Sequence, residues 1–132
     1  MKKILLAALI LVMTSVVFGQ TATKLNIVYF HAKYRCATCT SIEENTKKTL
    51  STYFSEQLKN GTIKLLVLDV SESKNEKMAE KYEASGSSLF LTKLNGTKET
   101  TTNFTNFAFS YSHNQADKFI AGLKAEIEKN LK

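Results

Sequence analysis

Leu25–Cys39, LNIVYFHAKYRCATC, is the stretch that decides the fold. Its opening, Leu25–Ala32, is a short apolar run rich in β-branched and aromatic residues and bounded by polar ones, so it reads as a buried strand. Its close, Cys36-Ala37-Thr38-Cys39, places two thiols three residues apart where a helical spacing takes over. Ile42, Thr46, Leu50, Tyr53, Phe54 and Leu58 recur at that spacing and Asn60-Gly61 supplies a stop. One helix from about Cys36 to Leu58 is therefore predicted. Reactive groups in α/β proteins gather where a strand hands over to a helix, and here that place holds the chain's two cysteines.

Working outward toward the C-terminus, Thr62–Val70 (TIKLLVLDV) is nearly continuous in apolar residues. A strand covered on both faces has that pattern, and a central strand is expected. Ser73–Tyr82 is polar apart from Met78, Ala79 and Tyr82, which predicts a short surface helix with a narrow buried stripe, broken by Ser85-Gly86-Ser87. Ser88–Leu94 and Thr97–Phe104 read as strands joined by Asn95-Gly96, a turn in which both central residues are expected at positive φ. From Gln115 onward, Phe119, Ile120, Leu123, Ile127 and Leu131 mark an amphipathic helix, with Asn114 as its N-cap and Asp117 complementing the dipole. The order strand–helix–strand–helix–hairpin–helix gives an α/β fold, with a single mixed central sheet and helices on both faces.

Toward the N-terminus, Met1-Lys2-Lys3 and the apolar run from Ile4 resemble a secretory leader, with Val17-Phe18-Gly19 before the cut. We expect a signal peptide at 1–19 and a domain at 20–132, hence a periplasmic or secreted protein. The competing reading is a retained anchor, but the strongly apolar segment is shorter than the roughly 20 residues a span needs. Removing 19 of 132 residues leaves 113, enough for one domain and too few for two. The full chain carries 18 Lys+Arg against 12 Asp+Glu, a net charge of +6, spread without a basic block. That argues against nucleic acid as a partner. A membrane contact is expected only through the leader, and a monomer is expected.

A small exported domain often carries several disulfides. Here both cysteines fall within one short loop-to-helix turn, and closing so small a ring removes little entropy from the unfolded chain. The pair is better suited to opening and closing. At the first turn of a helix, Cys36 faces unpaired N–H groups and the positive dipole end, and Arg35 and Lys33 add charge. All favour its thiolate, while Cys39, one turn deeper, is placed as a resolving thiol. The reading is a thiol–disulfide switch on Cys36 and Cys39, with no cofactor and no resident metal, acting on a protein or small thiol or disulfide partner. Three alternatives stand beside it: an inert local disulfide, a silent binding module, and a non-catalytic module in which the two thiolates hold a soft metal or metalloid such as arsenite or copper. His31 and His113 are at neither paired zinc spacing. Glu43 and Glu44 lie on the helix behind the thiols, where one could assist proton transfer. Phe104, Phe107, Phe109 and Tyr111 are read as core, with partner docking as the second reading.

These residues resemble the thioredoxin superfamily. Ile27–Cys39 is similar to its strand, aromatic residue and Cys-x-x-C helix start, and Tyr82–Gly96 to the stretch leading from a tyrosine through a Gly loop into the hairpin. More narrowly, HAKYRCATCTSIEENTKKTL and TNFTNFAF resemble a bacterial thioredoxin-like family, the nitrophenyl-compound nitroreductase subunit of the ArsF type. That resemblance implies nitroreductase or arsenic-detoxification components as partners. Departures accompany it: Ser88 stands where the superfamily has a cis-proline, Tyr29 where it has a buried carboxylate, and Arg35 where a tryptophan usually precedes the first cysteine.

Overall fold

In the computed structural model, which describes residues 21–132, β1 (Leu25–His31) runs through the middle of a four-stranded sheet. The expected leader at 1–19 and its cleavage point lie outside the described residues. β2 (Ile63–Asp69) pairs parallel to β1 on one side. On the other side β3 (Ser88–Asn95) pairs antiparallel to β1, and β4 (Lys98–Asn103) antiparallel to β3. The order is β2-β1-β3-β4, an α/β fold on one mixed sheet. Among the described residues five α-helices complete it: α1 (Ala37–Tyr53), α2 (Ser55–Lys59), α3 (Glu76–Lys81), α4 (Thr105–Tyr111) and α5 (Ala116–Leu131).

The strand alternation divides the core in two. Leu25, Ile27 and Tyr29 of β1, with Leu89 and Leu91 of β3, meet Ile42 and Leu50 of α1, Ala108 of α4 and Phe119, Leu123 and Ile127 of α5. Val28, Phe30 and Phe90 point to the opposite face and pack on Tyr82, Met78 and Ala79 from the α3 region. Helices thus cover both faces. No described helix is long and apolar enough to cross a membrane.

Several expectations are corrected. β2 is an edge strand among the described residues, not a central one. Its apolar run is explained because Leu65 and Val67 pack under one helical layer and Leu66, Leu68 and Val70 under the other. Burial of both faces does not require a neighbour on both edges.

The single helix expected to reach Leu58 is broken at Phe54, whose backbone at φ −133° and ψ 27° leaves the helical region. Thr49, Ser51, Thr52, Tyr53 and Ser55 are weak helix formers, and turning there buries the Phe54 ring. The hairpin loop is Gly96-Thr97, one residue later than expected, since Asn95 still pairs with Lys98. Of these two loop residues only Gly96 has positive φ, at 62°, the pattern of a II′ turn. The C-terminal helix is capped at Gln115, not Asn114, without a side-chain bond. The aromatic run after β4 forms a helix of its own, α4, which the expected order of elements did not contain.

Candidate functional site

The sequence places Cys36 at the end of the Ala32–Arg35 loop, where the chain leaves β1 and enters α1. Its backbone, at φ −76° and ψ 164°, is the extended conformation of an N-cap residue. The Sγ atom takes the role a serine or aspartate oxygen usually plays, accepting the Cys39 N–H at 3.1 Å. Cys36 and Cys39 form a disulfide with their Cα atoms 5.1 Å apart. Cys36 is exposed, whereas Cys39 is 8 % exposed and belongs to the core side of the helix. The asymmetry expected from the spacing is therefore present: one sulfur faces solvent, and its mate lies one turn deeper.

Beneath the pair, Tyr29 is fully buried on β1 and its hydroxyl donates to the Cys39 carbonyl at 2.6 Å. The polar group under the thiols is thus a phenol that ties the main chain of α1 to the central strand. Arg35, the residue before Cys36, lies over the Tyr29 ring, 5.7 Å from its centroid. Its guanidinium also donates to the Glu43 carboxylate, which accepts from Lys47 as well. Burial pushes the Glu43 carboxyl up, but the hydrogen bonds from Lys47 and Arg35 outweigh it and hold the group below the usual carboxylate range. Glu43 is held charged by two cations and is poorly suited to trading protons. Glu44 belongs to neither contact.

The Arg35–Glu43 pairing was the feature missed from sequence. Only half of its signal is in the sequence: Glu43 follows Cys39 by four residues and Cys36 by seven, which puts all three on one helix face, whereas the position of Arg35 depends on the loop. The other candidates are dispersed. His31 is half-buried, with its Nδ1 3.0 Å from the Ala32 carbonyl. His113 is exposed, with its Nδ1 3.1 Å from the Ser41 hydroxyl, which itself donates to the Ala37 carbonyl. Ser88 opens β3 opposite Phe30, its hydroxyl bonded to the Gly86 carbonyl, and every described peptide bond is trans. Phe104, Phe107 and Tyr111 pack against the core, while Phe109 is 41 % exposed.

No protein-family model matches this chain, and no curated protein matches it. Among solved structures, one described as the structure of a malarial protein matches with a TM-score of 0.45 and 22 % identity, covering 76 % of this chain and 97 % of that one. A likeness of that degree carries no argument about fold or chemistry. Among the described residues no group of three or more His, Cys, Asp or Glu side chains could hold a metal ion.

Proposed function

We propose that the chain is an exported thioredoxin-like thiol–disulfide oxidoreductase, with Cys36 as the nucleophile and Cys39 as the resolving thiol. The observation that carries the reading is the Cys36–Cys39 disulfide at the N-terminus of α1, with Cys36 exposed and accepting the Cys39 N–H while Cys39 is buried. The fold half of the reading is supported by the strand order β2-β1-β3-β4, and by α1 and α5 on one face with α3 on the other. The export half is supported by the leader-like start of the sequence.

The chemistry follows from the geometry. In the reduced protein the Cys39 N–H and the free end of the helix dipole favour a thiolate at Cys36. That thiolate attacks one sulfur of a partner disulfide, forming a mixed disulfide and expelling a partner thiolate. Cys39 then gives up its proton and attacks the Cys36 sulfur, which closes the internal bond and expels the second partner thiolate. Two electrons pass to the partner; its two thiolates take up the proton released by Cys39 and one from solvent, which balances the proton Cys36 gave up on ionising. Tyr34, 87 % exposed, and Arg35 flank the exposed sulfur as the first surface a partner meets.

The test is a trap. Reduced Cys39→Ser protein mixed with glutathione disulfide is expected to retain glutathione on Cys36 as a stable mixed disulfide seen by mass spectrometry. Cys36→Ser protein is expected to retain little, because Cys39 is buried. Equal labelling of both variants, or none of Cys39→Ser at neutral pH, overturns the assignment.

A further inference from the structure

Resting on that redox reading, we propose that Glu43 is a positioning residue that sets the reduction potential of the Cys36–Cys39 pair through its hold on Arg35. Arg35 adjoins Cys36, and an unpaired guanidinium there would stabilise negative charge on the reduced sulfur. It is not unpaired. It is bonded to Glu43, whose second oxygen takes Lys47, and it lies over the Tyr29 ring. The Arg35 and Glu43 side chains are 26 % and 15 % exposed, so their pairing is less screened than one in open solvent. Glu43 shares the helix face of both cysteines and lies about 10 Å along the axis from Cys36. The carboxylate therefore cancels part of the positive charge that favours the reduced form.

The equilibrium that reads this is exchange with glutathione. The protein disulfide and two glutathione thiols give the protein dithiol and one glutathione disulfide. Two electrons move to the pair, and the two glutathione protons pass to Cys36 and Cys39, or to solvent insofar as Cys36 is a thiolate. Whatever stabilises that thiolate makes the pair more oxidising.

Other charged or titratable groups at this end of the sheet are His31 at the end of β1, Lys33 after it, Asp69 at the end of β2, which feels both of them, and Lys47 on α1. His113 approaches α1 from the turn before α5 through Ser41. None is altered in the variants below, so at one fixed pH their contribution is common to all.

The experiment is a glutathione titration at pH 7 of the wild type, Glu43→Gln, Arg35→Gln and the double variant, each checked by thermal melting. Glu43→Gln is expected to shift the constant about threefold toward the dithiol. That corresponds to ~14 mV at about 30 mV per tenfold change. Arg35→Gln is expected to shift it about as far toward the disulfide, and the double variant to return close to wild type. A contact that merely braces the start of α1 would be lost in both single variants and would move them in the same direction. A common direction, or no shift with Glu43→Gln, overturns this inference while leaving the redox reading in place. A wild-type pair that does not equilibrate with glutathione overturns that reading itself, and this inference with it.

Discussion

The two faces of the sheet are held by different means. Under α1, α4 and α5 the contact is broad and almost wholly apolar, with Phe119, Leu123 and Ile127 inserted against β1 and β3. Under α3 the layer is thin. Three rings, Phe30, Tyr82 and Phe90, meet with centroids 5.0 to 6.0 Å apart. A hydrogen-bonded chain runs from the Tyr82 hydroxyl through Thr92 to Thr101. The disulfide belongs to the first face, since α1 is the helix that the larger core clamps. Broad apolar burial, joined by the Tyr29 hydroxyl bond to the Cys39 carbonyl, fixes the helix carrying the sulfurs, while stacked rings and a hydroxyl chain register the thinner face.

The largest test of that contrast is truncation of a ring on each face. Phe119→Ala is expected to cost about 3–5 kcal/mol in denaturant unfolding, because the residue is wholly buried in the larger core cluster. Phe90→Ala is expected to cost less, since the side chain is 6 % exposed and α3 is a short cover. Equal costs would break the comparison.

Gly122→Ala comes next. A Cβ at Gly122 would lie 2.3 Å from the Phe107 ring, so that ring, or α4 with it, must move off α5. We expect a loss of about 1–3 kcal/mol, read as a lowered melting temperature. An unchanged melt would mean that α4 is not seated as described. On the thin face, Tyr82→Phe removes one end of the buried hydroxyl chain and is expected to cost about 1 kcal/mol, with Thr92 still paired to Thr101.

The smallest effect is in acid. Glu43 titrates below the usual carboxylate range when folded, so it contributes stability above about pH 4.5, its ordinary value. That stability is lost as pH falls through the lowered folded value. The groups are near the surface, so the loss is at most a few tenths of a kcal/mol, and Glu43→Gln should flatten that part of the acid unfolding profile.

How far the sequence could be read depended on which physical signal dominated locally. β1, β3 and α5 were legible because their apolar periods match the faces they bury. The closeness of Cys36 and Cys39 at the strand-to-helix junction was legible from their spacing. α4 escaped although Phe104, Phe107, Ala108 and Tyr111 lie at i, i+3, i+4 and i+7. Phenylalanine, tyrosine and threonine are also strand formers, and the run follows a strand directly. β2 was placed in the interior because composition reports covered faces and is silent about edges. The break at Phe54 reflects tertiary demand, since one ring gains more by entering the core than the helix gains by continuing. The Arg35–Glu43 pair crosses from a loop to a helix, and pairings of that kind emerge only when the loop's path is known.

The bond from the Tyr29 hydroxyl to the Cys39 carbonyl pins the main chain of the inner cysteine to the most protected strand of the molecule. Cutting and remaking the sulfur–sulfur link then leaves that anchor point stationary. In the proposed redox cycle the movement then falls on Cys36, the exposed end of the pair.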